Sequence, residues 1–220
     1  MGDLNQRNFV RDNISIARGP VLEVGSRDYG NTPDMRPFFP GCRYVGVDMS
    51  CGKNVDVVAD LAADMDEVRR KIGSDVFGTV LCLSVLEHCA NPFALCGNLV
   101  QLLGPGGVIF VSVPFSWRIH GYPSDYWRFT PDGVRALFPA LDFDAHPGNV
   151  TTSVIGQACP IDNYMMRAEL DTKKALGLKR YGRFTAWVVG FCRRRNILPF
   201  IFRYPYLFPP VMINMIGVKR

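Results

Sequence analysis

Two pairs of neighbouring residues carry side chains that could move a proton during a reaction. His120 is followed five positions later by Asp125, whose carboxylate could orient the imidazole as a general base. His88 directly follows Glu87 and is a rival for the same role. The alternative for His88 is a structural histidine at a helix start, bonded to the backbone. We therefore predict His120 as the base, Asp125 as its partner and His88 as the second candidate.

Segment 114–131 also combines aromatic rings with charged side chains. Flat amphipathic rings beside directed polar groups are a mixture suited to binding sugars and other polyols. The alternative is that the rings of Tyr126, Trp127 and Phe129 pack beneath the loop while Arg128 pairs with an acid. The predicted acceptor-binding residues are Trp117, Arg118, Tyr122, Tyr126, Trp127 and Arg128.

A buried strand and a tight turn are predicted well before this segment. Val21–Val24 is mostly apolar and continues through Gly25 into a polar loop that ends at Gly30. Glycines at such a turn let a ligand approach the backbone closely. A second strand ends in Asp48, 23 positions after Gly25, where a doubly wound fold places the carboxylate that holds a ribose. The pairing predicts a cofactor that contains a nucleoside.

The glycine spacing argues against a dinucleotide as that cofactor. A dinucleotide fingerprint needs G-x-G-x-x-G, because its second glycine lets a pyrophosphate sit on a helix N-terminus. Arg27 occupies the second position here, and the glycines are Gly25 and Gly30. The loop therefore has little of a phosphate cradle.

Five short motifs follow one another over residues 21–114. They are E-x-G at 23–25, the acid at 48, D-L at 60–61, a strand at 77–83 followed by S-V-L-E-H, and L-G-P-G-G at 103–107. Together they resemble the motifs of class I S-adenosylmethionine-dependent methyltransferases. The resemblance implies a methyltransferase that uses S-adenosyl-L-methionine as its cofactor.

The same resemblance implies where each part of the cofactor binds. Glu23 and Gly25 are expected at its methionine end, and Asp48 at its ribose. Asp60 and Leu61 are expected at the adenine. The full set of implied cofactor-binding residues is Glu23, Gly25, Ser26, Arg27, Gly30, Asp48, Met49, Asp60, Leu61 and Ser84.

The run H-G-Y-P-x-D-Y-W-R-F-T-P at 120–131 resembles a loop of bacterial and viral methyltransferases that accompany polysaccharide biosynthesis. It implies O-methylation of a sugar hydroxyl on a glycan or glycolipid, with glycosyltransferases as neighbours or fused domains. Methyltransferases that act on base nitrogens carry (N/D)-P-P-(Y/F) where this chain has L-S-V-L at 83–86. Two alternatives remain open: a small-molecule methyltransferase with a phenolic or lipid-like acceptor, and a non-catalytic methyltransferase-like binding module.

Alternating strands and helices predict an α/β fold with a doubly wound, mostly parallel sheet. Segments 141–146 and 150–157 have strand character, and only three residues separate them. That connection is too short for a crossover helix, so we predict an antiparallel C-terminal hairpin at the sheet edge. Helices are expected at residues 5–17, 64–72 and 92–103.

A further helix start is predicted at Thr32, which is followed by Pro33 and Asp34. A capping hydroxyl, a proline in the first turn and an acid near the helix dipole favour such a start. Pro37 and Pro40 would end this helix early.

Residues 167–220 differ chemically from the rest, with 12 lysines and arginines against two acidic residues. We predict a methyltransferase domain at 1–166 and a basic, apolar C-terminal extension at 167–220. Stretch 197–216 is apolar, but Arg203 and four prolines oppose a regular membrane-spanning helix. The extension is interpreted as a packed lid, a peripheral contact with an anionic membrane surface or an oligomer contact. Its apolar excess argues against a nucleic-acid partner.

The seven cysteines form no C-x-x-C pair, which favours reduced cysteines in a cytoplasmic protein. No cluster of histidine, cysteine and carboxylate residues has the spacing of a zinc site. We therefore predict no metal, while scattered acids leave a magnesium site open.

Overall fold

The computed structural model describes residues 4–30, 32–73, 76–121, 124–153, 158–161, 191, 195 and 211–220. All of these except 191 and 195 belong to one compact unit. Within these ranges, no helix has the length and apolar character needed to span a membrane. The extension predicted at 167–220 lies mostly outside the described residues.

The described strands form one mixed sheet. Its order is β3-β2-β1-β4-β5-β9-β7-β8, with β6 also paired to β9. The five strands from β3 to β5 are parallel, which confirms the predicted doubly wound α/β class. The strands are β1 Val21–Val24, β2 Tyr44–Asp48, β3 Val57–Val58, β4 Phe77–Leu83, β5 Leu103–Ser116, β6 Leu141–Asp142, β7 Val150–Ser153, β8 Ala158–Pro160 and β9 Val211–Lys219.

The winding of the sheet reverses at β1. From β1 the chain proceeds outward through β2 and β3 on one side, and then through β4 and β5 on the other. The carboxyl ends of β1, β2 and β4 therefore surround a crevice. Crevices at such reversal points are where open α/β sheets bind their ligands.

The antiparallel strand beside β5 comes from the last described residues of the chain. β9 pairs with β5 from Val218 opposite Val108 to Val211 opposite Ser116. The other edge of β9 pairs with β7 and with the two-residue strand β6. Antiparallel C-terminal strands are thus confirmed, but β7 pairs with β8 and β9 and not with segment 141–146. The local sequence pattern indicates that a segment is a strand, but it does not identify the strand with which that segment pairs.

β9 also changes the interpretation of the apolar stretch 197–216. Residues 211–217 are buried, so the end of that stretch is a strand within the sheet. The prediction placed these residues in the extension, because apolar character alone does not distinguish a sheet strand from a surface anchor.

Four α-helices are described in this unit. Three begin at side-chain caps. The Asp64 carboxylate accepts from the Asp66 N–H, the Asn91 side chain accepts from the Ala94 N–H, and the third cap is Thr130. The first helix is shorter than predicted and is followed by a 3₁₀ turn at Ile14–Ile16. The helices are α1 Leu4–Asp12, α2 Met65–Ile72, α3 Pro92–Leu102 and α4 Pro131–Leu137.

The predicted helix start at Thr32 is wrong. The segment after it contains only a 3₁₀ turn at Arg36–Phe38, because Pro37 and Pro40 withhold backbone donors that a helix needs. The same three residue types at Thr130 start α4, where the Thr130 hydroxyl accepts from the Gly133 N–H at 3.0 Å.

Apolar residues cover both faces of the sheet. Leu22, Val80 and Ile109 belong to a cluster that includes residues of α2, α3 and α4. Val21 precedes Leu22, and Phe110 follows Ile109. Both belong to a second cluster that includes residues of α1. Because side chains alternate along a strand, the two clusters lie on opposite faces. This packing holds the ends of β1, β2 and β4 in fixed positions.

Candidate active site

A cavity of about 550 Å³ opens where β1, β2 and β4 end. A volume of this order suits a cofactor-sized ligand. The structure thus brings together eight of the predicted cofactor-binding residues on one surface. Those in its lining are Glu23, Gly25, Arg27, Asp48, Met49, Asp60, Leu61 and Ser84.

Gly25 forms the turn between β1 and this cavity. Its φ is +69°, a conformation that L side chains rarely adopt. A Cβ built on Gly25 would lie 2.7 Å from Cγ2 of Val85, which also lines the cavity. Glycine is therefore required here both for backbone conformation and for space.

Two carboxylates at the cavity are fixed by backbone bonds. Oδ1 of Asp48 accepts from the Ser50 N–H at 2.9 Å, just beyond the end of β2. Oδ1 of Asp60 accepts from the Ala62 N–H at 2.8 Å. Each turn fixes one oxygen and thereby orients the second, so both residues can accept from hydroxyl or amine donors of a ligand.

Ser26 and Gly30, the other two predicted cofactor residues, are not in the described cavity lining. Ser26 is buried, and its Oγ lies close to Gly46, where an added Cβ would be 2.7 Å from it. Gly30 has φ +98° and donates to Oδ1 of Asp28, which closes the loop. The cofactor-binding role of these two residues stays a prediction.

Glu23 is a buried carboxyl group in the cavity wall. The Tyr44 hydroxyl donates to its Oε2 at 2.8 Å, and the Arg36 guanidinium lies 4.7 Å from the centre of the Tyr44 ring. Burial raises the pKa of Glu23 to about 7, against the smaller lowering effects of Tyr44 and Arg36. The carboxyl is thus held in a low-polarity wall by Tyr44.

Gln6 is a cavity residue that the sequence did not indicate. Its Nε2 donates to Oγ of Ser84 at 2.5 Å and to Oγ of Ser112 at 3.2 Å. Ser84 follows β4 with φ +55°, an unusual conformation for a residue other than glycine. A glutamine within a helix is usually on the surface, so only the fold shows that α1 places this one against the end of β4.

His88 lines the cavity beside Glu87, which is only 1% exposed. The imidazole Nδ1 lies 2.6 Å from the Ser124 carbonyl oxygen, so Nδ1–H donates to it. The structural alternative for His88, a bond to the backbone, is therefore present. Burial lowers the pKa of His88 and raises the pKa of Glu87 to about 7.

His120 and Asp125 are in contact, as their spacing predicted. The Asp125 Oδ2 accepts from the His120 backbone N–H at 2.8 Å and lies 3.2 Å from its Nδ1. Arg128 donates to both oxygens of Asp125 and holds the pKa of this carboxyl well below its usual range. Arg128 thus pairs with an acid, which was the structural alternative for this residue.

The two histidine rings meet at the edge of the cavity. Their centroids are 4.9 Å apart and their planes cross at 83°. His88 is in the described cavity lining and His120 is not. His120 therefore contacts a residue of the cavity wall, and the two rings form one polar group.

The aromatic side chains of segment 114–131 divide into buried and exposed members. Phe129 is buried, whereas Tyr126 is 52% and Trp127 41% exposed. Tyr126 lines the cavity, and the Trp127 indole N–H donates to the Cys89 carbonyl at 2.8 Å. Of Tyr126, Trp127 and Phe129, only Phe129 is therefore packed in the interior, which was the alternative to acceptor binding.

The remaining predicted acceptor residues contact Arg128 or lie outside the described residues. The carbonyls of Trp117 and Arg118 accept from the Arg128 guanidinium. Tyr122 lies outside the described residues. Arg128 thus links the Trp117 and Arg118 carbonyls to the Asp125 carboxylate.

The cavity suits S-adenosyl-L-methionine on its own features. Asp48 and Asp60 offer acceptors for ribose hydroxyls and an amine. Leu61 and Leu95 add apolar wall for an adenine ring, and Gly25 permits close approach of the ligand to the backbone.

Comparisons with known proteins agree with this geometry. The family model described as a methyltransferase domain matches residues 4–146. A search of curated proteins finds no match. A methyltransferase from Archaeoglobus fulgidus, described as SAM dependent, has a similar solved structure, with 15% identity over 97% of this chain and 92% of that chain and a TM-score of 0.53.

A second similar structure is the 1,6-didemethyltoxoflavin-N1-methyltransferase of Burkholderia thailandensis with bound S-adenosylhomocysteine. It has 14% identity over 98% of this chain and 77% of that chain, with a TM-score of 0.53. At such identities the two structures establish the fold. The family match covers more than half of the chain, so the chain belongs to the methyltransferase domain family, and the predicted S-adenosylmethionine-dependent methyltransferase class is confirmed.

Proposed function

We propose that this enzyme transfers a methyl group from S-adenosyl-L-methionine to a sugar hydroxyl of a glycan or glycolipid. The cofactor supplies a methyl group activated on a sulfonium. The protein must align the acceptor with this group and, for a hydroxyl acceptor, remove a proton. Of the side chains that support the proposal, His88 and Tyr126 line the cavity, and His120 contacts His88.

The observation that carries the proposal is the contact between the His88 and His120 rings beside the cavity. An imidazole is the side chain best suited to accept a proton near neutral pH. Asp125 is placed to orient His120, because its Oδ2 contacts both the backbone N–H and the ring Nδ1 of that residue. His120 is proposed as the base, with His88 as the residue between it and the cavity.

The exposed rings support a polyol acceptor. Tyr126 lines the cavity, and its side chain is more than half exposed. The bond from the Trp127 indole to Cys89 fixes the orientation of a second exposed ring. Such rings offer flat faces to the C–H surface of a sugar, while polar groups beside them bind its hydroxyls. A glycan acceptor makes glycosyltransferases the expected functional partners.

A transfer assay with isotopically labelled cofactor tests the acceptor class. The panel should contain free sugars, oligosaccharides, phenols and amines of similar size. The proposal requires the highest kcat/KM with a sugar. Preference for a phenol or an amine would overturn the sugar assignment, and cofactor binding without transfer to any acceptor would favour a binding module.

A substitution at His120 tests the base. His120→Asn should lower kcat by about 10²-fold or more, the usual contribution of a general base, and leave S-adenosylhomocysteine affinity unchanged. His146→Asn is the matched control, because the His146 ring accepts from the nearby Gly148 N–H and is not in the described cavity lining. Equal loss of turnover and cofactor affinity in His120→Asn would remove it from this role.

A further inference from the structure

Three side chains with metal-binding chemistry converge at the rim of the cavity. Glu87 and His88 follow β4, and His120 belongs to the segment after β5. One ligand atom from each lies within 4.8 Å of the other two. Sequence spacing did not indicate this cluster, because 31 residues separate His88 from His120.

Both imidazoles are oriented as metal-binding histidines usually are. Nδ1 of His88 lies 2.6 Å from the Ser124 carbonyl oxygen, which can only accept. Nδ1 of His120 lies 3.2 Å from the Asp125 carboxylate and 3.2 Å from the Arg118 carbonyl. With acceptors on Nδ1, each ring carries its proton there, and Nε2 carries the lone pair. A carboxylate or carbonyl on the distal nitrogen is the usual second contact of a metal-binding histidine.

Glu87 supplies an independent indication of a cation. Its Oε2 is buried and has no hydrogen-bond partner among the described residues. Its Oε1 lies 4.0 Å from Nε2 of His88. A buried carboxylate oxygen without a partner is costly, and a site for an ion is one of the accepted explanations.

We propose that Glu87, His88 and His120 form a binding site for a divalent transition-metal ion at the rim of the cavity. Two imidazoles and one carboxylate favour zinc, cobalt or iron(II) over magnesium or calcium. Ligand atoms about 2.0–2.2 Å from such an ion lie roughly 3–3.5 Å apart, so the three ligand atoms would move closer together when the ion binds.

The ion would keep open coordination positions next to the cavity, because only three protein ligands are present among the described residues. A hydroxyl of the acceptor can occupy one of them, where the ion would lower its pKa so that its proton passes to solvent water. The resulting oxygen would bond to the methyl carbon as the sulfonium C–S bond breaks and S-adenosylhomocysteine leaves. Activation of the acceptor hydroxyl by the ion rests on the proposed function, whereas binding of the ion does not. In the metal-bound protein the imidazoles are ligands, and in the metal-free protein His120 remains the base.

The site is tested by titrating the EDTA-treated, untagged full chain with ZnCl₂ by calorimetry and with CoCl₂ by visible absorption. We expect one equivalent bound per chain. Glu87→Gln and His120→Asn should each weaken binding about tenfold or more, and Asp125→Asn should weaken it by about 10–100-fold. His146→Asn is the control for binding by a histidine outside the cluster and should bind as the unsubstituted protein does.

A measurement on the unsubstituted protein does not depend on whether the variants fold. Cobalt(II) should shift two exchangeable imidazole N–H proton resonances in its NMR spectrum, one from each Nδ1–H.

Absence of stoichiometric binding, or loss of binding in His146→Asn alone, would overturn the site. If cobalt binds but methyl transfer to sugars is absent, the metal site stands and the proposed acceptor is wrong. Transfer to sugars without metal binding would overturn the metal site and leave the proposed acceptor standing.

Discussion

Asp125 and Arg128 form a two-point ion pair at the rim of the cavity. Nη1 of Arg128 lies 2.5 Å from Oδ1, and Nη2 lies 2.8 Å from Oδ2. The Asp125 side chain is almost fully buried. The same guanidinium donates to the carbonyls of Trp117 and Arg118, so one side chain holds both ends of segment 117–128. The position of His120 depends on this pair, because Asp125 contacts both its backbone and its ring.

Arg128→Lys should therefore impair turnover without changing the affinity for the cofactor. A lysine keeps the charge but cannot donate from a planar fork to two oxygens and two carbonyls. We expect kcat/KM for the acceptor to fall about tenfold or more, with S-adenosylhomocysteine affinity unchanged by calorimetry. Arg135→Lys is the matched control, because Arg135 pairs with Asp132 on the exposed surface of α4. An equal effect of both substitutions would contradict the positioning role of Arg128.

Gly25→Ala should lower both stability and cofactor affinity. The backbone at Gly25 has φ +69°, and the new Cβ would lie 2.7 Å from Val85. Strain and clash together should cost about 2–4 kcal/mol in the free energy of unfolding, measured by urea denaturation. Gly41→Ala separates the two causes, because Gly41 has φ +75° and nothing within 4 Å of an added Cβ. Its cost should be about 1–2 kcal/mol, with normal cofactor affinity.

The buried carboxyl of Glu23 predicts a specific pH dependence of stability. Its folded pKa of about 7 lies above the ordinary value of 4.5. Between these pH values the unfolded chain releases a proton that the folded chain keeps, so the free energy of unfolding falls as pH rises. The loss from Glu23 should approach about 3 kcal/mol at pH 7.5.

Glu23→Gln isolates this effect, because the amide does not titrate and keeps an oxygen acceptor for Tyr44. The unfolding free energy of the unsubstituted protein relative to Glu23→Gln should fall from pH 4.5 to pH 7.5. Glu87, whose pKa burial also raises to about 7, is present in both proteins and contributes equally. A difference that stays constant across this range would show that Glu23 is ionised in the folded chain.

Gln6→Leu tests whether α1 positions the end of β4. The substitution removes donors to Ser84 and Ser112, leaving one half-buried and one buried hydroxyl without this partner. It should lower the free energy of unfolding by about 1–3 kcal/mol and weaken cofactor binding. Gln101→Leu on the exposed face of α3 is the control for a glutamine in a helix. Unchanged cofactor affinity in Gln6→Leu would limit Gln6 to a structural role.

The sequence predicted those parts of the fold that local pattern determines. β4 was predicted at its observed bounds, because Phe77–Leu83 is a mostly apolar run that ends before the polar Ser84. Helix starts were predicted less well: Thr-Pro-Asp occurs at both 32–34 and 130–132, and only the second begins a helix. Pro37 and Pro40 prevent a helix after Thr32. The partner of β5 could not be predicted, because β9 is paired by the tertiary fold and not by neighbouring residues.

The candidate site was predicted best where a motif carries a backbone requirement. Gly25 and Asp48 lie on the cavity because a turn and a strand end place them there. Gln6 was missed, and the Glu87, His88 and His120 cluster was not foreseen, since each depends on segments that meet only in the folded chain. His120 and Asp125 were paired from sequence because five residues of one loop connect them.

The binding of S-adenosylhomocysteine to the unsubstituted chain and to Asp48→Ala tests the central claim most directly. Asp64→Ala is the control, because Asp64 caps α2 and is not in the described cavity lining. Calorimetry should show one equivalent bound to the unsubstituted chain and to Asp64→Ala, with affinity reduced about tenfold or more in Asp48→Ala through loss of charge-assisted hydrogen bonds. Absence of binding to the unsubstituted chain, or equal affinity in Asp48→Ala, would contradict the assignment of this cavity to the cofactor.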